Sequence, residues 1–72
     1  MKTDGVYRVS INNQWQTIVS DTQDIDFNSL CAFAGEREVK AVACFTPDDQ
    51  KCMVRAGERA PLVEGAIYEV ML

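Results

Sequence analysis

Three cysteines, Cys31, Cys44 and Cys52, are the side chains of this sequence best suited to chemistry, and the chain contains no histidine to act on them. Without an imidazole base, a cysteine–histidine nucleophile is excluded. The three do not form a CxxC pair, and a zinc site would need a fourth ligand from a carboxylate, which structural zinc sites rarely use. They read as reduced thiols serving as small apolar residues of the interior. Asp21, Asp24, Asp26, Asp48 and Asp49 supply the other candidate chemistry, a hard-cation site. They lack the alternating spacing and closing bidentate glutamate of a calcium loop, and helix caps and turns account for each of them. No catalytic residue, metal or cofactor is therefore assigned, and any site must be a surface built by the fold.

The helix that organises such a surface spans Ile25 to Gly35, IDFNSLCAFAG. Phe27, Leu30, Cys31 and Ala34 fall at i, i+3, i+4 and i+7, one apolar face of about two turns. Asp26 is placed to cap the free N–H groups, Ile25 and Leu30 have the spacing of a hydrophobic staple, and Gly35 is the stop. Before it, Gly5 to Ile11 alternates as a strand with Tyr7, Val9 and Ile11 on one face. Asn12-Asn13 forms a tight turn into a second strand from Gln14 to Ser20. After it, Val39 to Phe45 reads as a central strand, with Val39, Ala41, Ala43 and Phe45 on one side and Lys40, Val42 and Cys44 on the other. Thr46-Pro47-Asp48-Asp49 is a type I turn, Cys52 to Val54 a short edge strand, and Arg55 to Glu58 another turn. Arg59 to Gly65, broken by Pro61, reads as irregular, with Leu62 and Val63 anchored under the sheet. Ala66 to Leu72 is the last strand, with Tyr68, Val70 and Leu72 on one face.

A hairpin, a crossing helix and a final strand laid beside the first make an α+β fold of the β-grasp kind. This predicts a mixed sheet of four to five strands with one helix packed across one face. The 72 residues are expected to form one domain, 1–72, which at this size buries about 60% of its unfolded surface and has little room for a deep catalytic cleft. Hydrophobic residues at 47% and charged residues at 25% exclude a disordered tail. Seven basic against eleven acidic residues, net charge −4, with no run of either sign, argue against a nucleic-acid backbone as partner. No apolar stretch reaches the length of about 20 residues that a membrane span needs, and MKTDGVYRV has no signal-peptide core, so the expected compartment is the cytoplasm and the expected partners are proteins.

The chain resembles the ubiquitin-like β-grasp superfamily, and within it the bacterial ubiquitin-like and multi-ubiquitin domains. The residues that carry the resemblance are YRVSINNQWQTIV as the first hairpin, FNSLCAFAG as the helix with its stop, VKAVACF as the third strand and VRAGERAPLVEGAIYEV as the closing segment. They cover nearly the whole chain. The resemblance implies a protein modifier or protein-recognition module handled by activating and conjugating enzymes, with its main recognition patch on the sheet face away from the helix. Such modifiers act through a terminal glycine. This sequence stops at Met71 and Leu72 with no glycine pair, so no attachment residue is assigned. The alternatives are a β-grasp sulfur carrier, which needs the same glycine terminus and would be ruled out by a native C-terminus at Leu72, and a structural accessory subunit of a larger enzyme complex.

With Ala41, Ala43, Phe45, Tyr68 and Val70 toward the helix, Val42, Cys44, Ile67 and Met71 are expected on the outward face as an apolar contact patch. Trp15, the only tryptophan, is expected either to join it as a binding anchor or to pack over the sheet end or under the loop around Pro61.

Overall fold

In the computed structural model, which describes residues 5–72, Asn12 and Asn13 both take left-handed φ, 54° and 68°. That backbone matches the twist of the two strands it joins, β1 (Val6–Ile11) and β2 (Gln14–Val19). Residues 1–4, the start of the MKTDGVYRV segment expected to lack a signal-peptide core, lie outside the described residues. The chain then forms β3 (Asp24–Asp26), α1 (Phe27–Ala34), β4 (Ala41–Phe45), β5 (Lys51–Val54), β6 (Arg59–Pro61) and β7 (Ile67–Met71). Five strands make one mixed sheet in the order β2-β1-β7-β4-β5, with β7 parallel to β1 and antiparallel to β4. β3 and β6 pair separately as a two-stranded ribbon.

Local chemistry explains the helix. Asp26 accepts from the Ser29 N–H at 3.1 Å and the Ser29 hydroxyl at 2.7 Å, and Gly35 ends the helix at φ 74° with its N–H on the Ala32 carbonyl. Phe27, Leu30 and Cys31 are buried and Ala34 half-buried against the core, as the spacing requires. Ile25 and Leu30, the staple pair, are both buried. At the far end the Gln16 side-chain amide donates to the Phe33 carbonyl, one of the last carbonyls a helix leaves free. The turn at Thr46 also forms as read, with the Asp49 N–H donating to the Thr46 carbonyl at 3.1 Å.

The core lies between α1 and one sheet face. Val9 and Ile11 of β1, Ile18 of β2, Tyr68 of β7, Val42 and Cys44 of β4 and Val54 of β5 point into it with Phe27, Leu30 and Cys31. Tyr68 is fully buried at the centre, and its hydroxyl donates to the Pro61 carbonyl, tying the ribbon to the main sheet.

Two readings of the sequence need correction. Arg59 to Pro61 is a strand, not irregular chain, paired Asp24↔Pro61, Ile25↔Ala60 and Asp26↔Arg59. Its exposed–buried–exposed alternation covers only three residues and ends in a proline, too short a run to read as a strand, and their partner is distant in sequence. Leu62 is buried as expected, whereas Val63 is exposed. The faces of β4 are also reversed: Val42 and Cys44 look to the helix and Ala41, Ala43 and Phe45 away from it. Residues directly opposite on a ladder share a face, and Cys44 stands opposite the core residue Tyr68.

The capping carboxylate gives the fold a pH dependence. The Ser29 hydroxyl and then the Ser29 N–H hold the Asp26 carboxyl below the ordinary carboxylate value, and Arg59 followed by Thr22 does the same for Asp24. A depressed folded-state pKa stabilises above the unfolded value of about 3.9 and loses that contribution as the pH falls through the folded value. Asp26→Ala is expected to lower the Tm at neutral pH, and thermal melts should show the gap to wild type narrowing below about pH 4.

Candidate functional site

With one sheet face covered by α1, alternation sends the intervening side chains of the same strands to the other. One row crosses all five strands as Trp15, Ser10, Ile67, Phe45 and Lys51. The adjoining row is Glu69, Ala43 and Met53, and Met71 with Ala41 extends it. Trp15 is 58% exposed, Ile67 40%, and Met53 and Met71 each 39%. Ala43 and Ala41 beneath them are nearly covered by their neighbours. Apart from Glu69, which stands between Ile67 and Met71 on the central strand, the side chains exposed around the middle of the outward face are apolar, a surface class that on a monomer usually marks a contact site.

Its borders are charged. The Lys51 ammonium sits 5.6 Å from the Phe45 ring centroid, within cation–π range. Arg8 and Glu64 flank Trp15 on the opposite side, where the Arg8 backbone N–H donates to the Glu64 carboxylate at 2.9 Å. Trp15 is thus on the outward face, and the alternative placement under the loop at Pro61 does not occur.

Of the five residues expected in the patch, Ile67, Met71 and Trp15 are on it. Val42 and Cys44 are not: both are 0% exposed within the core. Phe45 stands opposite Ile67 and Met53 lies across Ala43 from Glu69, and the sequence reading assigned neither to the patch. Every residue from Ala41 to Cys44 is buried, so β4 carries no inside–outside alternation from which to read a face. Met53, between half-buried Cys52 and buried Val54, had the right period, but that period needed the register of β5 on β4 to become informative.

Burial holds the thiols of Cys31 and Cys44 in the protonated form, pushing Cys44 up to about 12 with the neighbouring Cys52 adding to the effect. No three cysteine, aspartate or glutamate side chains converge on a metal-sized site among the described residues. No helix among them is long and apolar enough to cross a membrane. The outward face offers dispersion contacts from two flexible methionines, an isoleucine and two aromatic rings, chemistry suited to holding apolar side chains of another macromolecule. No family model, no curated protein and no solved structure matches the chain.

Proposed function

We propose that this protein is a ubiquitin-like β-grasp domain that works by binding another protein through the outward face of its sheet, with no catalysis of its own. The strand order, with β7 inserted parallel to β1 and α1 crossing one face, supports the β-grasp assignment. The observation that carries the binding reading is the exposure of Ile67, Met53 and Met71, with half-buried Phe45 among them, on a sheet whose other face is already filled. Apolar side chains lie on both sides of one central carboxylate, Glu69 on β7 between Ile67 and Met71, with Trp15, Arg8 and Lys51 toward the edges, and a partner must meet that charge as well as the apolar anchors. The partner presents apolar anchor residues to this face.

The test uses three baits: wild type, Ile67→Asp on the outward face, and Phe33→Asp on the exposed side of α1. A partner held by wild type and Phe33→Asp is expected to bind Ile67→Asp about 30-fold or more weakly, the loss typical of an interface hot spot. The Ile67→Asp protein itself should lose about 1–2 kcal/mol, from partial burial and strand propensity at a central-strand position that is 40% exposed, and still unfold cooperatively. Partners retained equally by all three baits would refute the assignment of this face. Whether the domain is also conjugated is read separately, from the intact mass and lysine-linked branched peptides of the protein taken from its own cell.

A further inference from the structure

Cys44 and Cys52 stand directly opposite each other on the antiparallel β4–β5 ladder, both as free thiols. Thr46 N–H donates to the Gln50 carbonyl at 2.9 Å, and alternation of the ladder then makes Cys44 and Cys52 a hydrogen-bonded pair, with Cα atoms about 5.5 Å apart. That separation is within the disulfide range of about 4.4–6.8 Å. The two thiols differ in access. Cys44 is fully buried, whereas Cys52 is half-buried and lines a mainly apolar cleft of about 410 Å³ between the Thr46–Gln50 turn, Pro61 and Val63.

We propose that Cys52 is a thiol-modification site for small-molecule disulfides entering this cleft, and that Cys44 resolves the adduct into a reversible cross-strand disulfide. The Cys52 thiolate attacks one sulfur of the incoming disulfide, forming a mixed disulfide and releasing the first small thiol, which takes up the proton lost by Cys52. The Cys44 sulfur then attacks the Cys52 sulfur and displaces the second small thiol, which takes the proton from Cys44. Two protein thiols are oxidised, and one small disulfide is reduced to two thiols. Opposed Cβ atoms on a ladder are about 4.5–5.5 Å apart, against about 3.8 Å in a relaxed disulfide, so closure strains the pair and leaves it readily reducible. Cys31, on α1, has no such partner and serves as the internal control.

Purified protein is incubated with glutathione disulfide, quenched in acid, denatured and alkylated. The expected product has lost the mass of two hydrogen atoms and carries one alkyl group, on Cys31. Trypsin places Cys44 and Cys52 on separate peptides, 41–51 and 52–55, which should then run as one cross-linked species. Cys44→Ala should stop at a glutathione adduct on Cys52, and Cys52→Ser should gain neither adduct nor cross-link. Excess reduced glutathione should restore three alkylatable thiols in the wild type. Three alkylatable thiols after oxidation, a lasting glutathione adduct on wild-type Cys52, or an intermolecular disulfide would each overturn the proposal. If Cys44→Ala fails to fold, the wild-type peptide map and Cys52→Ser decide it.

Discussion

Replacing Val42 with aspartate is expected to abolish the cooperative unfolding transition. Val42 lies in β4 between Val54 and Val70 on the helix-facing side of the sheet and is completely buried. A domain of this length has a stability of about 4–11 kcal/mol at the usual value per residue. An unpaired carboxylate in that position forfeits the burial of the valine, about 1.5–3 kcal/mol, and must also be desolvated or protonated, a penalty of several kcal/mol more. Burial would raise the new carboxyl's pKa above its unfolded value, so whatever fold survives should strengthen toward acid pH and weaken as the pH rises through the raised value. Circular dichroism melts of Val42→Asp beside Ile67→Asp make the comparison direct. The two residues are close in type and were both expected on the outward face, yet only the first substitution should remove the transition. A cooperative melt of Val42→Asp near the wild-type midpoint at neutral pH would contradict the observed register of β4.

Tyr68→Ala is expected to cost about 3–5 kcal/mol, the range for truncating a large buried aromatic residue. Tyr68 is the largest fully buried side chain, stands beside Ile11 across the parallel pair and opposite Cys44 across the antiparallel one, and reaches Pro61 through its hydroxyl. Tyr68→Phe keeps the ring and removes the hydrogen bond, so it should cost about 1 kcal/mol. Urea titration checks both, as a lower midpoint with little change in slope. The hydroxyl also gives an alkaline signature: burial raises the Tyr68 pKa above its ordinary value. A raised folded-state pKa means that its contribution is intact below the unfolded value of about 10 and is lost as the pH rises beyond it. Wild type should therefore lose stability above about pH 10 more steeply than Tyr68→Phe.

The gap between Val42 and Ile67 shows where a linear reading stops. In β7 the outward residues Ile67, Glu69 and Met71 alternate with buried Tyr68 and half-buried Val70, so its faces were legible from period alone. In β4 small apolar residues fill both sides, and a shift by one residue moved Val42 and Cys44 from the core to the surface and Ala41, Ala43 and Phe45 the other way. The same ambiguity left Phe45 out of the patch, whereas Met53 needed the register of β5 on β4 to be placed there.

The sequence alone determined whatever depends on near neighbours. Asp26 and Gly35 bounded the helix because a capping carboxylate and a left-handed stop act within one turn. Asn12 and Asn13 determined the hairpin because both tolerate positive φ, and Thr46 to Asp49 determined the next reversal in the same local way. The α+β class with a mixed sheet followed from the order of these elements. Only the tertiary structure decided which face of β4 meets the helix, that Arg59–Pro61 pairs with Asp24–Asp26, that Trp15 looks outward, and that Cys44 faces Cys52. Each of these is a pairing between strands, and a ladder's register is selected by how side chains from separate strands fill a shared core, a quantity that no single stretch of chain contains.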